Sequence, residues 1–321
     1  MATYYGTYGQ KVQYLASDPS DLQNGQVWYN STSAVLKVRE ITSVGSYTTG
    51  GNLNTARGRL AGAGTQTVTV AFGGAAPPTT GATEEYDGTS WTNNPTGLNT
   101  ARFGLAGAGS QTSAVAFGGF GPATSAATEE YDGSSWTSVN SLNTGRTYLA
   151  GCGIQTAALA AGGSVGSGLV ELYDGTNWTA TTTMNTARSY MGGCGNQTAA
   201  LFFGSETGPN AQTETWNGTS WTSVNSLNTG RGNMGAAGTQ TLAICMGGSP
   251  PTNGITATEL WNGTSWTTNP NSLATARARG PLGAGTQAAA IIAGGFNPSV
   301  TSATEEFIGP GVGTTKTVTV T

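Results

Sequence analysis

The chain has no histidine at all, and that single absence removes the commonest general base, the Ser-His-Asp triad and almost every imidazole metal site. Charge is also scarce. Lys and Arg number 12 and Asp and Glu 16, giving a formal net charge of -4 with no basic cluster, so a face that gathers nucleic-acid phosphates is not expected. No apolar run approaches the roughly 18 residues of a membrane-spanning helix, and the first 20 residues lack a basic segment followed by an apolar one. Neither membrane insertion nor a secretory signal is expected. Cysteine occurs only three times, which argues against a disulfide framework or a zinc site.

Glycine, in contrast, is abundant: 51 of 321 residues, a content that penalises helix interiors by about 1 kcal/mol at each site and points to an all-β protein. Eight Trp, eleven Tyr and apolar runs such as VTVAF and AAAIIA supply enough burial to exclude a disordered chain.

Aligned on itself, the chain shows one unit six times. An N-T-(A/G)-R type entry leads to small residues ending near G-x-Q-T, then an apolar run closed by Gly-Gly. A T-E-aromatic segment, a D-G or N-G turn and W-T follow. The entry arginines are Arg57, Arg102, Arg146, Arg188, Arg231 and Arg277, spaced by 42 to 46 residues, the period of propeller blades. Recurring acids are Glu85, Glu130, Glu171, Glu214, Glu259 and Glu306, and the closing indoles are Trp91, Trp136, Trp178, Trp221 and Trp266. The sixth copy has no Trp.

Each unit reads as four strands. Asp87-Gly88, Asp132-Gly133, Asp174-Gly175, Asn217-Gly218 and Asn262-Gly263 predict a type I′ hairpin between the third and fourth strands. The small-residue stretch 103–109 predicts an inner strand beside a central channel, and the continuous apolar run Ser113–Phe117 a strand buried on both faces. Two segments compete for the missing outer strand of the sixth unit. One is 45–48, with Tyr47 in the Trp position; the other is 315–321.

A di-Gly followed at regular distance by Tyr and Trp resembles the kelch repeat, over roughly residues 50 to 310, with Gly204-Ser205 as a departure. That resemblance implies a β-propeller. Six blades spanning 46–321 are expected, a seventh incomplete blade from 26–48 being the alternative, with residues 1–45 forming a separate attachment segment around a hairpin at 26–39. The segment GQVWYNSTSAVLKV, set before such repeats, resembles virion proteins of tailed phages of marine bacteria. It implies a multi-copy structural protein on the phage particle, at the tail or tail fibre rather than the capsid. Other virion proteins would be held through the N-terminal segment, and a host-surface glycan or protein met by a loop face. A capsid-surface or purely structural component without receptor and a glycan-cleaving propeller are the alternatives.

Weighed for chemistry, most of these residues read as structural. Each recurring Arg is expected to pair with a Glu or with backbone carbonyls near strand ends, because a partly buried charge without a partner would cost several kcal/mol. The sialidase Asp-box separates Asp and Gly by one residue, whereas Asp87 and Gly88 are adjacent, and a galactose-oxidase copper site would need histidine. Cys152, Cys194 and Cys245 stand where other copies carry small residues. No catalytic, metal or cofactor residue is expected. Variation collects in the connection between the second and third strands, which makes Pro77, Pro78, Phe120, Pro122, Pro209, Asn210, Pro250, Pro251, Phe296, Asn297 and Pro298 the candidate binding loops.

Overall fold

A computed structural model describes residues 12–20, 26–41, 44–76, 78–164, 168–206, 211–250, 254–311 and 313–318. Within them the protein is all-β, with seven four-stranded sheets in an arrangement consistent with a β-propeller. Six sheets come from the repeats. The first holds strands a to d at Ala61–Gly64, Thr69–Phe72, Thr83–Tyr86 and Trp91–Asn94, paired antiparallel in that order. Sheets 2 to 5 repeat the pattern, starting at Ala106–Ser110, Ala150–Ile154, Gly192–Asn196 and Gly235–Gly238.

Sheet 6 holds Leu282–Gly285, Ala289–Ala293 and Thr304–Ile308, and its fourth strand is Ser46–Gly50 from the other end of the chain, with Tyr47 opposite Phe307. Of the two candidates for that strand, the early one takes the place. The late one, Gly313–Val318, pairs instead with Val35–Ile41. Together with Val27–Asn30 and Gln13–Leu15 it makes the seventh sheet. The count of sheets is therefore seven rather than six, because both chain ends add strands to the expected hairpin. Trp28 is fully buried there, and Asp18 accepts hydrogen bonds from Trp28, Asn30 and Lys37.

The turn between strands c and d differs from expectation. Gly88 has φ +90°, but Asp87 is not left-handed, so the loop is not type I′. Four residues, 87–90, separate the paired Tyr86 and Trp91, and the Asp87 carboxylate accepts the amides of Thr89 and Ser90 at 2.8 Å. Side-chain capping of this kind needs Asp or Asn at the first position and a left-handed residue at the second. The D-G and N-G signatures meet both needs.

Strand a is built from small residues because its neighbours leave no room. A Cβ at Gly107 would lie 2.5 Å from Phe72 Cζ of the preceding sheet, and one at Gly151 2.5 Å from Phe117 Cζ. Strand b is buried in every repeat sheet, apart from a half-buried first residue in sheets 2, 3, 4 and 6, as the continuous apolar runs predicted.

Adjacent sheets are tied by side chains that recur. The Gln of each G-x-Q-T donates to the last carbonyl of strand c in the preceding sheet, from Gln111 on Tyr86 to Gln287 on Trp261, at 2.6 to 2.8 Å. Gln66 donates likewise to Phe307, the residue before the last of strand c in sheet 6. Outer-strand indoles reach the same way: Trp91, Trp136, Trp178 and Trp266 donate to the hydroxyls of Thr304, Thr83, Thr128 and Thr213 at 2.9 to 3.0 Å. Sheet 3 offers Val170 at that position, so Trp221 turns to the carbonyl of Thr182.

Candidate functional site

Each entry motif folds into a buried anchor. The main-chain amide three residues before the Arg donates to the paired glutamate at 2.6 to 2.9 Å, from Asn54 on Glu84 to Ala274 on Glu305. In the first five copies that Asn also donates its side-chain amide to the carbonyl of the outer-strand Trp.

All six entry arginines are buried and face one acid each. Arg146–Glu171, Arg188–Glu214 and Arg231–Glu259 fall where the sequence placed them, the latter two at 2.8 and 2.7 Å. In the three units with doubled glutamates, however, the partner is the first member. Arg57 meets Glu84 at 3.2 Å, Arg102 meets Glu129 at 3.1 Å and Arg277 meets Glu305 at 2.7 Å. Glu85, Glu130 and Glu306 are one residue out of phase and lie on the opposite face of the strand. They accept hydrogen bonds from Tyr131, Tyr173 and Tyr86 of the following sheets, the latter two at 2.9 and 2.6 Å. These carboxylates are thus committed to holding sheets together.

The cysteines are buried and unpaired, and burial pushes the Cys152 thiol up to about 12. No group of three or more His, Cys, Asp or Glu that could hold a metal ion occurs among the described residues. Among the same residues no helix is long and apolar enough to cross a membrane.

The feature that sequence reasoning missed lies two residues beyond each entry Arg. Arg59, Gly104, Tyr148, Tyr190, Asn233 and Arg279 all take left-handed backbone, with φ from 53° to 61°. Their main chains hydrogen-bond in a circuit. The amide of Arg59 donates to Arg279 at 2.7 Å, Gly104 to Arg59 at 2.9 Å, Tyr148 to Gly104 at 2.7 Å, Tyr190 to Tyr148 at 2.9 Å and Asn233 to Tyr190 at 2.8 Å. Gly280, next to Arg279, returns to Asn233 at 3.3 Å.

Arg59, Tyr148, Tyr190 and Asn233 of this circuit border a cavity of about 140 Å³, lined also by Leu60, Leu105, Leu149, Met191, Met234 and Leu282. Tyr148 and Tyr190 stack with centroids 4.0 Å apart, and the Arg59 guanidinium lies over Phe103 at 5.2 Å and over Tyr148 at 5.6 Å. Burial, then the neighbouring Tyr148 and Glu206, hold the Tyr190 phenol above its ordinary range. On the same end of the sheets are the b-to-c loops. Phe120 packs on Phe103 at 5.5 Å, and Arg279 sits 4.0 Å over the Phe296 ring.

The remaining loop candidates divide simply. Pro78, Pro122, Asn297 and Pro298 are exposed and Pro250 is half-buried, while Pro77, Pro209, Asn210 and Pro251 lie outside the described residues. The signal for the circuit was present in the sequence as a position that changes from copy to copy two residues after an Arg that never does.

Compared with known proteins, the chain matches no family model and no curated protein.

Proposed function

We propose that the six repeat sheets are the blades of a kelch-like ring that serves as a non-catalytic display scaffold, and that the seventh sheet stands outside the ring as its attachment unit. Support for the ring comes from the hydrogen-bond circuit and from Gln66 and Tyr86, which join sheet 1 to sheet 6 as each other sheet is joined to its predecessor. One observation carries the functional reading. Buried parts of the repeat are nearly interchangeable, whereas the side chains that differ gather at one end, on the circuit and the b-to-c loops.

Left-handed backbone costs a non-Gly residue on the order of 1 kcal/mol, and Gly104 holds the same geometry without that cost. Five of the six positions nevertheless carry Arg, Tyr or Asn. Strain retained where a cheaper residue fits points to a use for the side chains. The doubled glutamates do not suit a glycan-cleaving reading, since one member of each is paired with Arg and the other accepts from Tyr.

With the sequence resemblance to phage virion proteins, this makes the chain a virion component of the tail region. Its variable face is turned to a host-surface glycan or protein, and weak contacts are multiplied by copy number. The test is made on particles. Deleting residues 1–41 should leave a folded ring that no longer joins the particle; exchanging the b-to-c loops should abolish host adsorption while the melting temperature holds. Adsorption that survives the exchange would make the protein a structural component without receptor.

A further inference from the structure

The distribution of charge over the six repeat sheets is uneven in a way that names a ligand. Eight basic residues occur between 44 and 311, and six of them are buried opposite glutamates. The other two are Arg59 and Arg279, neighbours on the circuit, where the amide of one donates to the carbonyl of the other at 2.7 Å. Neither guanidinium forms an ion pair among the described residues. Both lie over aromatic rings instead, an arrangement that holds the planar fork in place with its N–H donors free for an anion.

Glu206 is the single acid of the b-to-c loops, whereas Asp87, Asp132 and Asp174 occupy c-to-d turns at the other end of the sheets. The end that carries the cavity is therefore its basic end. Polar groups that share the cavity lining with Arg59 are hydroxyls and an amide, from Tyr148, Tyr190 and Asn233, suited to a polyhydroxylated partner. At about 140 Å³ the cavity is well below the roughly 300 to 1,000 Å³ of sites for drug-sized ligands, and it seats one ring. Stacking of Tyr148 directly on Tyr190 leaves no slot between them for a nucleobase.

We propose that this cavity binds a single sugar ring bearing a carboxylate, with Arg59 taking the carboxylate and Tyr148, Tyr190 and Asn233 taking the hydroxyls. The assignment rests on reading this end of the scaffold as its binding face, and it narrows the partner from any host-surface molecule to an acidic glycan terminus.

Calorimetric titration of the full chain with a glucuronyl-terminated disaccharide, its glucosyl counterpart and a nucleoside monophosphate tests the proposal. The acidic sugar should bind at least about tenfold tighter than the neutral one, and its affinity should fall as salt is raised toward about 1 M, where screening acts within about 3 Å. Arg59→Asn is the variant of choice, because Asn233 already holds the same left-handed backbone in this circuit. It should weaken the acidic sugar about tenfold, with Arg59→Lys recovering part of the loss and melting temperatures unchanged.

Equal affinity for the two sugars, preference for the nucleotide, no binding of the acidic sugar, or undiminished binding by Arg59→Asn would each overturn the assignment. Should any of these occur while loop exchange still abolishes adsorption, the acidic sugar falls and the binding face stands.

Discussion

The hydroxyl of Tyr86 donates to a carboxylate oxygen of Glu306 at 2.6 Å, tying the first repeat sheet to the last across 220 residues of chain. Tyr131 and Tyr173 treat Glu85 and Glu130 in the same way. In sheets 4, 5 and 6 the aromatic residue is Trp216, Trp261 or Phe307, and there the preceding sheet offers Leu172, Thr215 or Leu260 in place of the second glutamate. Choice of aromatic residue in one sheet thus follows the residue its neighbour presents.

Removing one side of such a pair should expose the dependence. Tyr86→Phe leaves the half-buried Glu306 without its donor and should cost about 1 to 3 kcal/mol in denaturant unfolding. The double change Tyr86→Trp with Glu306→Leu copies the arrangement of Trp216 beside Leu172 and should recover most of that loss. A double variant no more stable than the single one would show the two positions to be independent.

Burial of the outer indole gives a larger effect. Trp136 is 5% exposed, packs against Phe72 of the preceding sheet with centroids 4.8 Å apart, and donates to Thr83. Trp136→Ala should cost about 3 to 5 kcal/mol, whereas Trp136→Tyr should cost less, because Tyr47 fills the equivalent place in sheet 6 and shares a 2.7 Å hydrogen bond with the Thr258 hydroxyl. A loss below about half a kcal/mol for the Ala variant would refute the packing role.

Periodic features were the legible ones. Ser113–Phe117 is a strand at the residues its apolar run marked, Tyr47 stands in the Trp position that spacing assigned to it, and each entry Arg is paired. Phase within a doublet was not legible without the strand's pairing. Glu84 and Glu85 are adjacent on one strand, two and one residues before Tyr86, and only register decides which of them turns toward Arg57. Nor did composition reveal the seventh sheet, since the pairing of 313–318 with 36–41 joins segments whose ladder depends on main-chain contacts rather than on any shared motif. The circuit at Arg59 escaped notice because left-handed backbone is usually signalled by Gly, and five of its six members are something else.

The buried ion pairs should behave asymmetrically. Arg188 is desolvated, which lowers its affinity for a proton, and Glu214 at 2.8 Å offsets only part of that loss. Glu214→Ala would strand the guanidinium and should cost about 3 to 5 kcal/mol. Replacing both by Met and Leu removes the charge and its counter-charge together and should fall near neutrality. Because the pair is shielded from solvent, added salt should change neither result; a strong salt dependence of the single variant would place the pair at the surface.

Acid should unfold the protein partly through its c-to-d turns. Hydrogen bonds from the Ser134 hydroxyl and the amides of Ser134 and Ser135 lower the Asp132 carboxyl to about 2, and backbone amides lower Asp87 and Asp174. A carboxyl whose folded value is depressed contributes stability that is complete above its unfolded value, near 4, and that is lost as pH falls through the folded one. For Asp132 the loss therefore spans roughly pH 4 to 2. Asn217 and Asn262 make the same turn with an uncharged oxygen, accepting the amides of Ser220 and Ser265 at 2.8 Å. Changing Asp87, Asp132 and Asp174 to Asn together should therefore leave the melting temperature at pH 7 nearly unchanged and flatten its decline between pH 4 and 2. Asp18, held at about 2 chiefly by Lys37, remains in the variant and keeps part of the slope. An acid limb as steep as in the parent chain would show that the turns hold no charge-dependent stability.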